Sequence, residues 1–316
     1  MVVHKDPYWI ALDHDPRALT SEFVKGFDAE YYRTLAESLL RHVFQRGDQR
    51  AAMALRTLYG LGQETLFALL AAILQTPELV PAWLNRYQSR QLYMIVAKVA
   101  RGDHVLNAHG IDSPSWADLS RLVHRTVAGD AGASLSDNFG DFWKRMARDL
   151  LEEDGRREYG SIKHGHRVRP GGFRMSVGKS GTGGQPCPPE EMTEIGRSDY
   201  GSKYHVLDKI SGHAFRLAEE HRNWNPTALT LRLHLVSCSL RNLLTFLDAR
   251  YGEANSNAAI YEPAPSSFER AWISNVGATC VRDRTVIPLP GDEIPSTAEI
   301  VDYYQRSNKA TDERQS

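Results

Sequence analysis

The sequence predicts a mainly α protein: a helical bundle with a small Gly/Pro-rich, partly β insertion. Three observations carry that prediction. Apolar residues recur at helical spacing through most of residues 28–154, with short polar connections between the runs. A second periodic run follows Asn225 and Pro226 and lasts to Gly252. Between the two, residues 170–203 are rich in glycine and hold Pro170, Pro186, Pro188 and Pro189, a composition that excludes a regular helix.

Taken in order, residues 1–26 carry Pro7 and Pro16 without a sustained period and read as an irregular arm with at most one short helix. Asp28 can cap a helix in which Tyr32, Leu35, Leu39, Leu40, Val43 and Phe44 repeat until Gly47. A second run covers 48–59 and breaks at Gly60-Leu61-Gly62, and a third, 64–75, is apolar on nearly every face and predicts the most buried helix. Thr76-Pro77 restarts the chain with a cap and a proline in the first turn, and short helices are expected near 78–87 and 89–100. Ser115 with Asp118 resembles a capping box, and Asp137 opens a helix whose core face is Phe139, Phe142, Trp143, Met146, Leu150 and Leu151. Gly155 stands where a helix-ending glycine belongs. Short strands fit 173–177, 202–210 and 279–289, and the tail from Arg306 has a disordered composition. The organisation expected is an arm (1–26), a helical domain (27–252) with a basic, Gly-rich insertion at 156–212, and a Pro/Ser-rich extension (253–316).

Composition narrows the functional classes. A net charge of −1 excludes a wholly basic packaging protein, and the longest apolar run, Leu66 to Leu74, is nine residues, about half of the ~20 that a membrane span takes. Cys187, Cys238 and Cys280 are far apart and odd in number, which argues against a disulfide framework and a cysteine zinc site. The N-terminal residues show no secretory pattern, so the expected location is cytoplasmic, with no membrane association.

The densest positive charge lies at 155–174, GRREYGSIKHGHRVRPGGFR. Arg156, Arg157, Lys163, Arg167, Arg169 and Arg174 stand there against Glu158 alone, with His164 and His166 among them. Such a cluster attracts RNA or another phosphate-bearing ligand. Arg157 and His164 are seven apart, so on a helix they share a face about 10 Å apart along the axis. An imidazole acting as acid or base beside a guanidinium that holds phosphate charge can cleave RNA without a metal. The spacing itself is common, however, and Arg216–His221 has a similar one.

Tyr159-Gly160-Ser161-Ile162-Lys163-His164-Gly165 resembles an aromatic–Asn–x–x–Lys–His–Gly signature of bacterial helical proteins. More distantly it resembles the Arg–Asn–x–x–x–His motif of the HEPN superfamily. That resemblance covers about twenty residues and implies a helical bundle, often a homodimer, in which some members are metal-independent endoribonucleases and others are inactive binding modules. Tyr159 and Gly160 stand where the motif most often has Arg and Asn, and Arg157 fits only a longer-spaced variant. Carried over, His164 is the acid/base, Arg157 the phosphate stabiliser, and Arg156, Lys163, His166, Arg167, Arg169 and Arg174 bind the backbone. No cofactor and no metal are implied. The alternative is a non-enzymatic scaffold or sensor whose 156–174 segment docks an acidic partner.

Other motifs are weaker. Gly178-Lys179-Ser180 lacks the first glycine of a phosphate loop, since Phe173 occupies that place, and it runs into more glycines rather than a helix. His164-Gly165-His166, Asp13-His14-Asp15 and Asp103-His104 have no recognised zinc spacing. No Gly-x-Ser-x-Gly elbow is present.

Overall fold

The computed structural model describes residues 1–125, 129–163, 167–179, 187–211, 214–252, 259–273, 276–277, 279–283 and 295–315. It is 61% helical with a 14% β part, so the mainly α class holds.

The arm is more ordered than expected. β1 (Val2–Val3) and β2 (Asp6–Pro7) form a small antiparallel pair, and α1 (Pro16–Gly26) is capped by the Asp15 carboxylate. Long-range bonds that sequence periodicity does not report tie it down. The His4 amide donates to Gln75 Oε1 at 2.8 Å, and Thr20 Oγ1 donates to the Glu78 carbonyl at 2.8 Å. α2 (Tyr31–Arg46) ends at Gly47, whose φ of 60° suits a residue without Cβ.

α3 (Gln49–Gln75) is capped by Asp48 and runs unbroken through the glycine pair expected to interrupt it. Tight packing explains both glycines. A Cβ on Gly60 would lie 2.4 Å from the Tyr159 ring, and one on Gly62 would lie 2.8 Å from Leu233. α3 is long and apolar enough to cross a membrane, yet 78% of its most apolar window is buried inside the protein. A turn of 3-10 helix at Pro77–Leu79 leads into α4 (Val80–Arg86), α5 (Ser89–Arg101) and α6 (Trp116–His124), whose Ser115–Asp118 capping box forms as expected. α7 (Gly129–Leu151) and α8 (Glu153–Lys163) follow almost without a break. Gly155 therefore sits inside α8, buried, rather than at a helix end.

The inserted region is antiparallel. β3 (Val168–Pro170), β4 (Arg174–Val177), β5 (Thr193–Arg197), β6 (Gly201–Ser211) and β7 (Ala214–Asn223) precede α9 (Pro226–Tyr251), α10 (Pro265–Arg270), β8 (Cys280–Asp283) and α11 (Thr297–Gln315). The main sheet has the order β3-β6-β7-β8, and β4 pairs with β5 separately. β7 and β5 escape the sequence reading because their charged residues interrupt the apolar alternation. The tail expected to be disordered is helical through Gln315; a capping box between Ser296 and Glu299 starts that helix.

The core centres on α3 and α9, with α2, α5, α6 and α7 packed around them. Trp143 and Phe139 of α7 are fully buried, and Trp143 Nε1 donates to Ser239 of α9 at 3.0 Å. The sheet adds a small satellite cluster of Tyr204, Val206 and Ala218. α8 lies between this sheet and α3, which places its two charged faces in different surroundings.

Candidate functional site

The basic segment read from the sequence separates in three dimensions, because acids distant in the chain reach most of its cations. Arg157 pairs with Glu153 one turn back and with Asp208 of β6 at 3.7 Å. Lys163 pairs with Glu64 of α3 at 3.2 Å, Arg169 with Glu219, and Arg174 with Glu194 at 3.0 Å. Arg167 is exposed, and its amide donates to the Ser161 carbonyl. His164 and His166 lie outside the described residues. Lys179 lies in the loop after β4, and Ser180 also falls outside the described residues.

Arg156 of the described cluster faces a cavity. One residue round α8 from Arg157, it stands over the Tyr93 ring at 5.6 Å and lines a cleft of about 400 Å³. The cleft is bounded by α3, the junction of α7 and α8, the end of β7 and the first turns of α9. Five arginines line it (Arg56, Arg148, Arg156, Arg222 and Arg232) against the carboxylates of Asp149 and Glu152. Tyr59, Tyr93, Tyr159 and Trp224 supply aromatic walls.

A buried acid organises the floor. Glu158 is fully buried, and its Oε2 accepts from Arg56 Nε at 3.0 Å and Nη2 at 2.6 Å. Its Oε1 accepts from Trp224 Nε1 at 3.1 Å and from Ser202 Oγ. Burial alone would push this carboxyl up, but Arg56, Arg222 and the Ser202 bond together hold it below the ordinary carboxylate range. Arg222 Nη2 pairs with Glu152 at 2.8 Å, and its Nε lies 3.8 Å from Glu158. Burial works against the Arg222 cation, yet the two acids more than offset it and keep the group charged.

Arg222 has one group left over. The residue is 9% exposed, and its Nη1 has no hydrogen-bond partner among the described residues. That nitrogen lies 3.7 Å from where a Gly155 side chain would begin, and Gly155 itself lines the cleft. A buried N–H donor left unpaired carries the cost of its lost hydration, so the site favours an acceptor there.

The remaining walls are held by neighbouring bonds. Tyr59 donates to Asp149 at 2.7 Å, and Arg232 reaches the same carboxylate at 3.1 Å while standing 4.2 Å over Trp272. Burial, with Asp149 beside it, pushes the Tyr59 phenol far up, so it remains a neutral donor. Tyr159 donates to Glu64 at 3.0 Å and is raised by burial and by that acid in the same way. Arg148 and Arg156 are exposed at the rim, and neither forms an ion pair with a described carboxylate. Lining arginines thus outnumber lining acids by three, and by two when the buried Glu158 is included.

A second cluster tests metal chemistry. Asp154, Glu220 and Cys280 bring ligand atoms within 4.8 Å of one another. Arg282 already occupies the space electrostatically, bonding Asp154 at 3.0 Å and Glu220 at 2.8 Å, and Tyr204 donates to Glu220. Burial and Glu220 push the Cys280 thiol up to about 11, so in the absence of a metal it stays protonated at neutral pH. The cluster is an internal ion-pair network around a guanidinium.

The cleft residues absent from the sequence reading had faint signals. Arg56 and Gln63 interrupt the apolar stripe Ala52–Leu55–Tyr59–Leu66 of α3, and Arg222 takes an inward position of β7 after Ala218. No family model matches the chain, and neither a curated protein nor a solved structure is significantly similar to it.

Proposed function

We propose that this protein binds a small phosphate-bearing ligand, of mononucleotide size, in the arginine-lined cleft, on a scaffold that is a helical bundle. The observation that carries the reading is the unpartnered, buried Arg222 Nη1 in a cleft whose cations outnumber its acids. Arginine forks match phosphate oxygens in pairs, and a site kept partly dry strengthens each charge-assisted bond. A volume of about 400 Å³ falls in the lower part of the range for small-molecule sites. The four aromatic side chains give a base or another flat group surfaces to pack on.

The test is calorimetric titration with pyrophosphate and with the four ribonucleoside monophosphates, for the wild type, Arg148→Gln and Arg156→Gln. Both substitutions are at exposed rim positions and spare the core. Binding should weaken with salt, and each variant should bind about two- to fivefold more weakly. Absence of binding at millimolar ligand, or identical affinity in both variants, overturns the proposal.

The endoribonuclease version adds His164 as acid/base and Arg157 as phosphate stabiliser. Cleavage of a labelled RNA in EDTA, lost in His164→Ala, would support it. Because Arg157 is held by Glu153 and Asp208, that step requires the guanidinium to leave its acids, and binding in the cleft stands without it.

A further inference from the structure

The cleft opens beside a second feature. Arg90, Tyr93, Met94, Ala97 and Arg101 of α5, with Leu151 and Arg156, line an open groove of about 670 Å³. Tyr93 and Arg156 belong to both linings, so the groove and the cleft share a wall. The α5 residues fall at i, i+3, i+4, i+7 and i+11, one stripe along the helix, while Leu92, Ile95, Val96 and Val99 bury the other side. From Arg90 to Arg101 the stripe extends about 16 Å at 1.5 Å per residue.

Charge and apolar surface are combined along it. Arg90 is exposed with no carboxylate partner among the described residues, Arg101 shares Asp103 at 2.8 Å, and Met94 is 38% exposed between them. A rail of spaced cations with an aromatic and a thioether side chain between them suits a strand of phosphates and bases, whose flat faces pack on such groups. A polyanion without flat side groups, such as polyglutamate, would use the cations and leave Tyr93 and Met94 without a matching surface. At the ~3.4 Å rise of a stacked strand, the stripe accommodates roughly five nucleotides.

The cations also differ in depth. Arg222 Nη1 at the cleft floor is shut off from solvent, Arg148 and Arg156 are exposed at the rim, and Arg90 and Arg101 are exposed along the groove. A chain following that order ends at the floor, where a terminal phosphate, with its extra charge and extra oxygen, meets the donor lacking an acceptor.

Resting on the binding reading above, we infer that the ligand is the phosphorylated end of a single-stranded polynucleotide, with its terminal phosphate in the cleft and the following nucleotides along α5. Fluorescence anisotropy tests it with labelled hexanucleotides of mixed sequence, as RNA and as DNA, with and without a terminal phosphate. Polyglutamate of equal charge and a ribonucleoside monophosphate serve as competitors. The phosphorylated hexamer should bind at least fivefold more tightly than the unphosphorylated one and more tightly than the mononucleotide. Arg90→Gln should weaken the hexamer about two- to fivefold, reduce its salt slope by about 0.7, and leave mononucleotide affinity unchanged. A preference between the RNA and DNA arms identifies the sugar.

If Arg90→Gln leaves hexamer affinity unchanged while Arg148→Gln weakens it, the groove inference is overturned and the cleft reading survives. Equal binding of phosphorylated and unphosphorylated ends, or equal displacement by polyglutamate, also overturns it. Failure of the mononucleotide and the hexamer alike removes both readings.

Discussion

Replacing Glu158 by glutamine tests the electrostatic account most directly. The substitution keeps the shape of the side chain and removes one negative charge at a fully buried position. Glutamine retains a single acceptor oxygen. If that oxygen stays with Trp224 and Ser202, its NH2 group faces the Arg56 guanidinium, donor against donor, where 3.0 Å and 2.6 Å hydrogen bonds had been. If the amide flips, Arg56 keeps a neutral acceptor and the Trp224 indole N–H loses its own. In both cases Arg56, whose side chain is 10% exposed, becomes a buried cation without a counter-charge. Removing one partner of a buried pair costs about 3–5 kcal/mol. Arg222 still has Glu152 at 2.8 Å, which places the expectation nearer 3–4 kcal/mol. At roughly 2–3 °C per kcal/mol for a chain of this size, the melting temperature should fall by about 6–12 °C at pH 7. Urea and thermal melts followed by far-UV circular dichroism supply the measurement. Arg56→Met and the double variant complete a cycle, in which the double variant should be at least about 1 kcal/mol more stable than additivity predicts. A fall below about 2 °C, or an additive cycle, would refute the idea that the pair acts as a coupled unit.

Three further expectations follow from other sites. Gly60→Ala places a methyl group into the Tyr159 ring and should cost about 1–3 kcal/mol, whereas Gly160→Ala on α8, with open space around it, should be neutral or stabilising by up to about 1 kcal/mol; equal effects in urea melts would argue against the close contact. His124 is buried, accepts from Asn242 Nδ2 at Nε2 and meets the Ser120 carbonyl through Nδ1 at 2.8 Å, a pattern of the neutral ring whose pKa burial lowers to about 4. Its folded pKa lies below the ordinary 6.5, so its contribution is full above pH 6.5 and is lost as the pH falls through about 4, on the order of 3 kcal/mol; an NMR titration midpoint for this ring near 6.5 would contradict it. Arg282→Met leaves Asp154 and Glu220 facing each other without their guanidinium and should lower stability by about 2–4 kcal/mol in urea melts. A loss below about 1 kcal/mol would rule out that origin.

Local signals in the chain predict local structure well here. The Ser115 capping box, the Asn225-Pro226 start of α9 and the glycine ends at Gly47 and Gly102 all work through residues within one turn, and helical periodicity reports them. Gly60 and Gly62 mislead because their reason is a contact with Tyr159 and Leu233, far along the chain, rather than a break in the helix. The basic segment misleads in a related way. Counting along the chain shows charge without its partners, and Glu64, Asp208, Glu194 and Glu219 are invisible to such a count. Arg156 was legible within the segment. Arg56, Arg148, Arg222 and Arg232 come from four other elements, and only the packing of α3, α7, β7 and α9 gathers them into one cleft.

The position of Arg282 in the chain also has a consequence for synthesis. Asp154 and Glu220 leave the ribosome well before the guanidinium that joins them, which arrives on β8 some sixty residues after Glu220. At about 5–20 residues per second, a nascent chain spends several seconds with those acids unmatched. Through that interval β7 has a bare edge and an uncompensated charge beside it, so the sheet can close only after β8 has emerged. Slow or paused translation between residues 220 and 283 would lengthen the period in which that edge is open to pairing with another chain.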